Sequence, residues 1–412
     1  MDIKTFQTEI ENSGTGGLQV EVYEGSVSRP VYEASVTISG ERGESYSLKT
    51  NISGQTPVVF LETPPKYVSE EPTGLKPYST AEVIIKKEGT GSEKAEGVQI
   101  LPDNTALLRV YLEGAGTENE VVITPLPLYQ PGEARIFEEE IKPINSLTGF
   151  VVLDRVVIPE YIVVHDGSPN DDSAPNYYIP YKDYIKNVAS SEVYSTWEPN
   201  AIRANVLAII SFTLNRVFTE WYRSKGKNFT ITSSTAVDHY FVYGRNIFVE
   251  ISQIVDELFS TYIIREGNRQ PLLAQYCDGR NVSCPGWMTQ WGSQYLAQQG
   301  YSAIEILRYY YGDDICLATA EKVDGVPYSF PGEVLTIGSQ GQAVETVQIQ
   351  LNRISRTYSA INTLTPDGIY GAATAESVRK FQEIFNLNTS GAVDYATWYQ
   401  ISQIYVAVEK LA

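Results

Sequence analysis

The chain has 412 residues, with 50 acidic and 31 basic side chains and a formal net charge of −19 at pH 7. Its length is about three times that of a typical domain of ~150 residues, which predicts two to four domains. A strongly acidic chain is poorly suited to nucleic acid, because neutralising phosphates requires clustered Lys and Arg. Two histidines and three cysteines also argue against a histidine-rich metal site, a Ser-His-Asp triad and a disulfide framework.

Neither a membrane span nor a classical signal peptide is predicted. The longest apolar stretch, residues 206–214, is about half of the ~20 apolar residues that cross a bilayer. The first four residues, MDIK, lack the pattern of a secretory signal. The 29 tyrosines are compatible with a surface for carbohydrate or peptide, and equally with a tyrosine-rich β domain.

The first 150 residues carry more than half of the net charge. They hold 23 acidic and 12 basic side chains, a net charge of −11, which leaves −8 for the remaining 262 residues. Apolar and polar residues alternate at the period of a β-strand, and turn residues separate these runs. The strands are predicted at residues 18–23, 34–38, 81–86 and 106–112. We predict a non-catalytic β-sandwich over residues 1–115.

Residues 116–150 have the composition of a linker. Prolines recur at positions 125, 127, 131 and 143, and an acidic run occupies residues 138–140. The segment is therefore expected to be irregular. It is either a plain interdomain tether or a protease-accessible pro-segment, since nicking concentrates in exposed polar linkers.

The middle of the chain contains apolar strands, a buried helix and one conspicuous glutamate. Residues 151–158 and 161–164 predict strands, and apolar residues recur at three- and four-residue steps over residues 202–217. Glu192 lies between apolar segments just before this helix. Burial there would favour the protonated carboxyl that a general acid needs. Taken alone, a glutamate at this position is usually a helix-capping or salt-bridged residue.

Three ordered blocks resemble the stage II sporulation protein D domain. They are NVASSE with WEPNAIRAN (residues 187–192 and 197–205), DHYFVYG (238–244), and MTQWG with ILRYYYG (288–292 and 306–312). The resemblance implies an α+β lytic transglycosylase domain over residues 151–318, acting on peptidoglycan glycan strands. It also implies that Glu192 is the catalytic acid/base, which protonates the glycosidic oxygen and then deprotonates the muramoyl 6-hydroxyl.

The same resemblance nominates polar side chains that orient the sugar, and it implies no cofactor. The nominated substrate-binding residues are Tyr243, Gln290, Arg203 and, less directly, Ser233, Ser234 and Thr235. Each of them is also a plausible structural hydrogen-bonding residue.

The stretch SCPGWM at residues 283–288 departs from the family, whose usual sequence there contains a histidine. Some family members bind zinc nearby, and a closed zinc site needs four nitrogen or sulfur ligands. Cys277 and Cys284 therefore have three open alternatives: a disulfide, free thiols, or a metal site completed by His239 or His165. We expect no metal, and we expect Cys316 to be a buried core cysteine.

The C-terminal region, residues 330–412, resembles the three-helix, type 1 peptidoglycan-binding domain. The match runs through LTIGSQG (335–341) and DGIYG (367–371), with apolar helix faces between and after them. The predicted apolar positions are Val344, Val347, Leu351, Ile354, Val378, Phe381, Phe385 and Leu387. The alternative is a helical bundle without a ligand.

The order of the regions resembles the germination-specific spore cortex-lytic enzymes of clostridia. That likeness implies a multidomain α+β protein located in the spore cortex or coat region, with cortex peptidoglycan as its partner. It implies a zymogen, cut near Phe150 and Val151 by a subtilisin-like germination protease. Two alternatives stay open: an N-acetylmuramidase that uses water, and a catalytically inactive wall-binding protein.

Overall fold

The computed structural model describes residues 13–114, 116–124, 137–140, 155–282, 284 and 286–410. The predicted cleavage position near Phe150 and Val151 lies outside the described residues, as does most of the predicted Pro-rich segment.

Nine strands of the N-terminal region and one strand of the middle region form two five-stranded sheets. The first has the order β14-β8-β1-β2, with β5 also paired to β1: β1 Gly14–Glu24, β2 Ser26–Pro30, β5 Val59–Thr63, β8 Thr105–Leu112 and β14 Ile247–Phe248. The second has the order β4-β3-β6-β7-β9: β3 Ser35–Gly40, β4 Ser45–Lys49, β6 Ser79–Lys86, β7 Ser92–Ile100 and β9 Glu118–Val122. A short helix, α1 (Tyr67–Glu70), lies between them in sequence. The strands predicted from alternation are confirmed, whereas their closure into a β-sandwich stays a prediction.

Strand β9 corrects the expectation that residues 116–150 are irregular throughout. It pairs in parallel with β7, from Ser92 opposite Glu118 to Glu96 opposite Val122. None of its five residues is fully buried, so its sequence carries little hydrophobic pattern. Backbone pairing to a neighbouring strand decides the conformation here, and single-sequence periodicity does not detect it.

The middle region surrounds one long helix. Its strands are β10 Val157–Ile158, β11 Tyr161–His165, β12 Asn176–Pro180, β13 Ile231–Thr232, β15 Thr261–Arg265, β16 Tyr276–Cys277, β17 Met288–Thr289, β18 Ile315–Thr319 and β19 Lys322–Val323. Its helices are α2 Tyr181–Glu192, α3 Pro199–Phe218, α4 Val249–Leu258, α5 Gln290–Gln298 and α6 Ala303–Tyr311, with a 3₁₀ turn at Arg223–Lys225. The buried helix predicted from periodicity is α3.

Helix α3 is long and apolar enough to cross a membrane. Within the described part of the chain, no other helix meets this test of length and composition. Of its most apolar 18-residue window, 89% is buried inside the protein. A core helix passes the same test of length and composition, so α3 is weak evidence for a span.

The C-terminal region contains α7 Gln342–Ile354, α8 Ala372–Ile384 and α9 Tyr395–Glu409. The predicted apolar faces of α7 and α8 are buried, and of the two predicted positions that follow α8, Leu387 is buried and Phe385 partly buried. Two buried glutamines hold the connecting turns, because Gln348 Oε1 accepts from Gly368 N and Gln382 Oε1 accepts from Gly391 N. The predicted mixed α+β, multidomain class with a helical C-terminal region is confirmed.

The three regions share a continuous hydrophobic core. Strand β14 of the middle region pairs with β8 of the N-terminal region, with Ile247 opposite Leu107. Gln55 Nε2 donates to the carbonyl of Ile384 in the C-terminal region at 2.8 Å. Residues of all three regions line a shared cleft.

Candidate active site

Glu192 is the last residue of α2, and its carboxylate is buried and held on both oxygens. Oε1 accepts a 2.8 Å hydrogen bond from the backbone N of Tyr240. Oε2 accepts a 2.9 Å hydrogen bond from Gln290 Nε2, which also donates to the Glu192 carbonyl at 3.0 Å. The side chain of Glu192 is therefore fixed in one orientation.

Two helix ends bring these side chains together. Helix α2 stops at Glu192 because Val193 adopts extended backbone angles. Helix α5 begins at Gln290, after Thr289 in an extended conformation. The structure thus brings together two residues that the family resemblance nominated independently, across 98 positions of sequence.

Asn187 braces the loop that supplies the Tyr240 amide. Its Nδ2 donates to the carbonyl of Val242 at 2.8 Å, and its Oδ1 accepts from Val242 N at 3.1 Å. This two-point clamp fixes residues 240–242 along α2. Asn187 and Tyr240 were not predicted as site residues, although both lie inside the motif blocks and could have been nominated from them.

Asp238 anchors the start of the same loop. Its fully buried carboxylate accepts from Arg216 Nε at 2.8 Å and from Tyr222 Oη at 2.6 Å. It also accepts from the backbone N and Oγ1 of Thr232, at 2.9 and 2.7 Å. Asp238 is thus saturated by structural contacts.

A cleft of about 1410 Å³ lies next to this arrangement, between the three regions. Asn187, Ser233, Tyr240, Tyr243 and Arg245 line it from the middle region. Its N-terminal wall includes Tyr23, Glu93, Arg109, Tyr111 and Val121, and its C-terminal wall includes Phe385, Asn386 and Gln400. Glu192 and Gln290 do not themselves line the cleft, and Glu192 is one hydrogen bond removed from it through Tyr240.

Tyr243 forms an aromatic platform in the cleft with Tyr177. The two rings stack with centroids 4.1 Å apart and planes 18° apart, and Tyr243 is 48% exposed. Burial, assisted by the nearby carboxylates of Glu93 and Glu113, raises the pKa of Tyr243. Rigid, partly exposed rings of this kind offer an apolar face together with a polar edge.

Of the other four nominated residues, one lines the cleft and three do not. Ser233 lines the cleft, and its backbone N donates to the His165 carbonyl at 2.9 Å. Ser234 and Thr235 lie in the following turn, and neither is among the described residues that line the cleft. Arg203 pairs instead with Glu257 and is likewise outside the cleft lining.

Cys277 and Cys284 form a disulfide, whereas Cys316 is free and only partly buried on β18, so the expectation of a buried core cysteine is wrong. The alternative in which these two sulfurs bind a metal is therefore wrong, because each is bonded to the other. His165 is held by Asn176 and by the Ser168 carbonyl, and His239 lies against Tyr184 in the core. Across the described ranges, no group of three or more His, Cys, Asp or Glu side chains is placed to hold a metal ion.

Comparison with known families identifies one part of the chain. Residues 340–401 match the family model described as "Putative peptidoglycan binding domain". A search of curated proteins gives no match. The matched segment contains α7, α8 and the first half of α9. The chain therefore carries a type 1 peptidoglycan-binding domain, which indicates association with the cell wall.

Proposed function

We propose that this protein is a peptidoglycan lytic transglycosylase with Glu192 as its acid/base. The observation that carries the proposal is the orientation of the Glu192 carboxyl by Tyr240 N and Gln290 Nε2, beside a large cleft. The peptidoglycan-binding domain at residues 340–401 supports the choice of substrate.

One carboxyl group is enough for this reaction. Protonated Glu192 donates its proton to the glycosidic oxygen as the bond from that oxygen to C1 of muramic acid breaks. The resulting carboxylate removes the proton of the muramoyl 6-hydroxyl, whose oxygen attacks C1. The product is a 1,6-anhydromuramoyl end, no water is consumed, and Glu192 regains its proton. Hydrolysing glycosidases usually need a second carboxyl group.

The proposal includes activation by proteolysis during spore germination. The N-terminal region, as a β-sandwich pro-domain, is released when a subtilisin-like protease cuts near Phe150 and Val151. Support comes from the family resemblance and from the N-terminal wall of the cleft, to which Glu93, Arg109 and Val121 contribute. Its removal would open the cleft to cortex glycan strands.

The test identifies the chemical form of the glycan ends that the protein produces. Cortex peptidoglycan fragments are incubated with wild type and Glu192→Gln, before and after limited proteolysis, and the products are identified by mass spectrometry. We expect anhydro ends from wild type and none from Glu192→Gln. Glu198→Gln changes an exposed glutamate six positions along, so it should act as wild type.

Two outcomes would contradict the proposal. Reducing ends from wild type would mean that water is the nucleophile, as in an N-acetylmuramidase. The absence of cleavage by every form, intact or proteolysed, would leave a wall-binding protein.

A further inference from the structure

Arg245 is a buried cation in the cleft wall that has no carboxylate partner among the residues that the structure describes. Its side chain is 5% exposed and lines the cleft. Nη2 donates to Gln99 Oε1, a neutral amide oxygen of the N-terminal region. Nε and Nη1 are buried and have no hydrogen-bond acceptor among the described residues.

Three other arginines that bridge regions of this protein pair with carboxylates. Arg216 pairs with Glu138 and Asp238, and Arg265 pairs with Glu140 and Asp314. Arg109 pairs with Glu21 and Asp183. Arg245, which lines the cleft just after the loop of residues 238–244, departs from this pattern.

Burying an unpaired charge is costly, so the arrangement needs a reason. Burial lowers the pKa of the Arg245 guanidinium to about 10, and the nearby phenols of Tyr240, Tyr78 and Tyr194 oppose this only in part. Guanidinium matches a carboxylate with two parallel hydrogen bonds, for which Gln99 offers a single oxygen. Nε and Nη1 of Arg245 are thus left as donors that an incoming anion would satisfy.

We propose that Arg245 binds a carboxylate carried by a muramoyl residue of the glycan strand, and that Gln99 occupies this position in the intact chain. Tyr240 adjoins both groups: its backbone N holds Glu192, and its side chain neighbours Arg245. The inference rests on the proposed function, because it takes peptidoglycan as the ligand. It makes Arg245 the residue that recognises muramic acid by its carboxylate, either that of an unsubstituted lactyl group or that of the attached peptide, since N-acetylglucosamine carries neither.

The test compares two probes that differ only in charge. They are a tetrasaccharide of alternating N-acetylglucosamine and N-acetylmuramic acid with free lactyl carboxylates, and its methyl ester. Binding to the full chain is measured by calorimetry in Gln99→Ala, which frees the guanidinium. We expect the acid to bind about 10–100-fold more tightly than the ester, the range of one charge-assisted hydrogen-bonded pair.

Three further variants make the result specific. Gln99→Ala with Arg245→Gln should bind both probes equally, whereas Gln99→Ala with Arg308→Gln, a change at an exposed arginine outside the cleft lining, should keep the preference for the acid. Gln99→Glu supplies an internal carboxylate, so it should lose the preference and raise the melting temperature. The peptidoglycan-binding domain is the same in every variant, so its contribution cancels.

Equal binding of acid and ester by Gln99→Ala, or a preference that survives Arg245→Gln, would overturn the inference. If Arg245→Gln does not fold, the Gln99→Glu variant still tests the inference. A preference for the acid that is retained in Gln99→Glu would also overturn the inference. Binding is independent of turnover. If the wild type produces anhydro ends but Gln99→Ala shows no preference for the acid, only this inference is wrong. If Gln99→Ala prefers the acid but no form of the protein cleaves the strand, only the proposed function is wrong.

Discussion

Gln290 donates from one side-chain nitrogen to both the carboxylate and the carbonyl of Glu192, at 2.9 and 3.0 Å. The contact joins the end of α2 to the start of α5. A hydrogen bond to a charged group contributes about 1.5–3 kcal/mol, and a buried carboxylate that loses a donor is strongly disfavoured. Gln290 therefore orients the group to which we assign the proton transfers.

Gln290→Ala should slow the formation of anhydro ends by about 10–100-fold, the kinetic equivalent of losing that hydrogen bond. The measurement is the initial rate of product formation on cortex fragments, followed by mass spectrometry. Gln298→Ala, at an exposed position of the same helix, should act as wild type. If Gln290→Ala falls within twofold of wild type, Gln290 does not position Glu192.

Asp256 is expected to be critical for the stability of the helix that carries Glu192. Its buried carboxylate accepts from Lys182 Nζ at 2.8 Å and from Lys186 Nζ at 2.7 Å, both on α2. Asp256→Asn would leave two buried ammonium groups without a counter-charge, so it should lower the free energy of unfolding by about 3–5 kcal/mol. Chemical denaturation measures this change.

The neighbouring Glu257→Gln is the matched control for Asp256→Asn. Glu257 forms a partly exposed pair with Arg203, so its change should stay below about 1 kcal/mol. Although burial opposes it, Lys182 and Lys186 hold the pKa of Asp256 below its usual value. The stabilisation should therefore be present at neutral pH and lost as the pH falls through the lowered pKa. Equal effects of the two substitutions at pH 7 would contradict this account.

Cleavage between residues 141 and 154 should not by itself release the N-terminal fragment, because Glu138 and Glu140 hold it, so its dissociation is a second and slower step of the proposed activation. Glu138 accepts from Arg216 at 2.9 and 2.7 Å, and Glu140 accepts from Arg265 at 3.0 and 2.5 Å. The strand pairing of β8 with β14 also crosses this boundary. Size-exclusion chromatography of the cleaved protein should therefore show one complex.

Replacing both glutamates by glutamine should weaken that complex by about 10–100-fold, because the fully buried Arg216 and the partly buried Arg265 each lose a carboxylate partner. Glu139→Gln, at the exposed position between them, should leave the complex unchanged. Immediate separation of the two wild-type fragments at low salt would show that these ion pairs do not retain the N-terminal region.

Glu93 should make stability depend on pH. Burial, with added repulsion from Glu113, raises the pKa of Glu93 to about 7. The folded state then binds more protons than the unfolded state between about pH 4.5 and 7, so stability falls as the pH rises through this window. Glu93→Gln should leave stability unchanged at pH 4 and raise it at pH 8, on the order of 1–3 kcal/mol.

Thermal or chemical unfolding at pH 4 and pH 8 measures this difference for Glu93→Gln. The control is Glu118→Gln, an exposed glutamate on β9 that also lines the cleft. A gain from Glu93→Gln that is equal at both pH values would show that lost repulsion or packing, and not proton release, is the cause.

Much of the local structure follows from short-range patterns. The alternation of residues 18–23 predicts β1, and the three- and four-residue steps of residues 202–217 predict α3, because burial of one face imposes these periods. The motifs of residues 335–371 identify the peptidoglycan-binding domain. Strand β9 escapes prediction because none of its side chains is fully buried, so its backbone pairing leaves no periodic signal.

The sequence by itself therefore determined the composition of each region, most strands and helices, and the family of residues 340–401. It also supplied Glu192 and Gln290 as separate candidates. Only the tertiary structure decided that these two residues touch, that β14 joins the N-terminal sheet, and that Arg245 is buried without a carboxylate. The physical reason is that periodicity records neighbours within about four residues, whereas contacts across some 100 residues depend on how the elements pack.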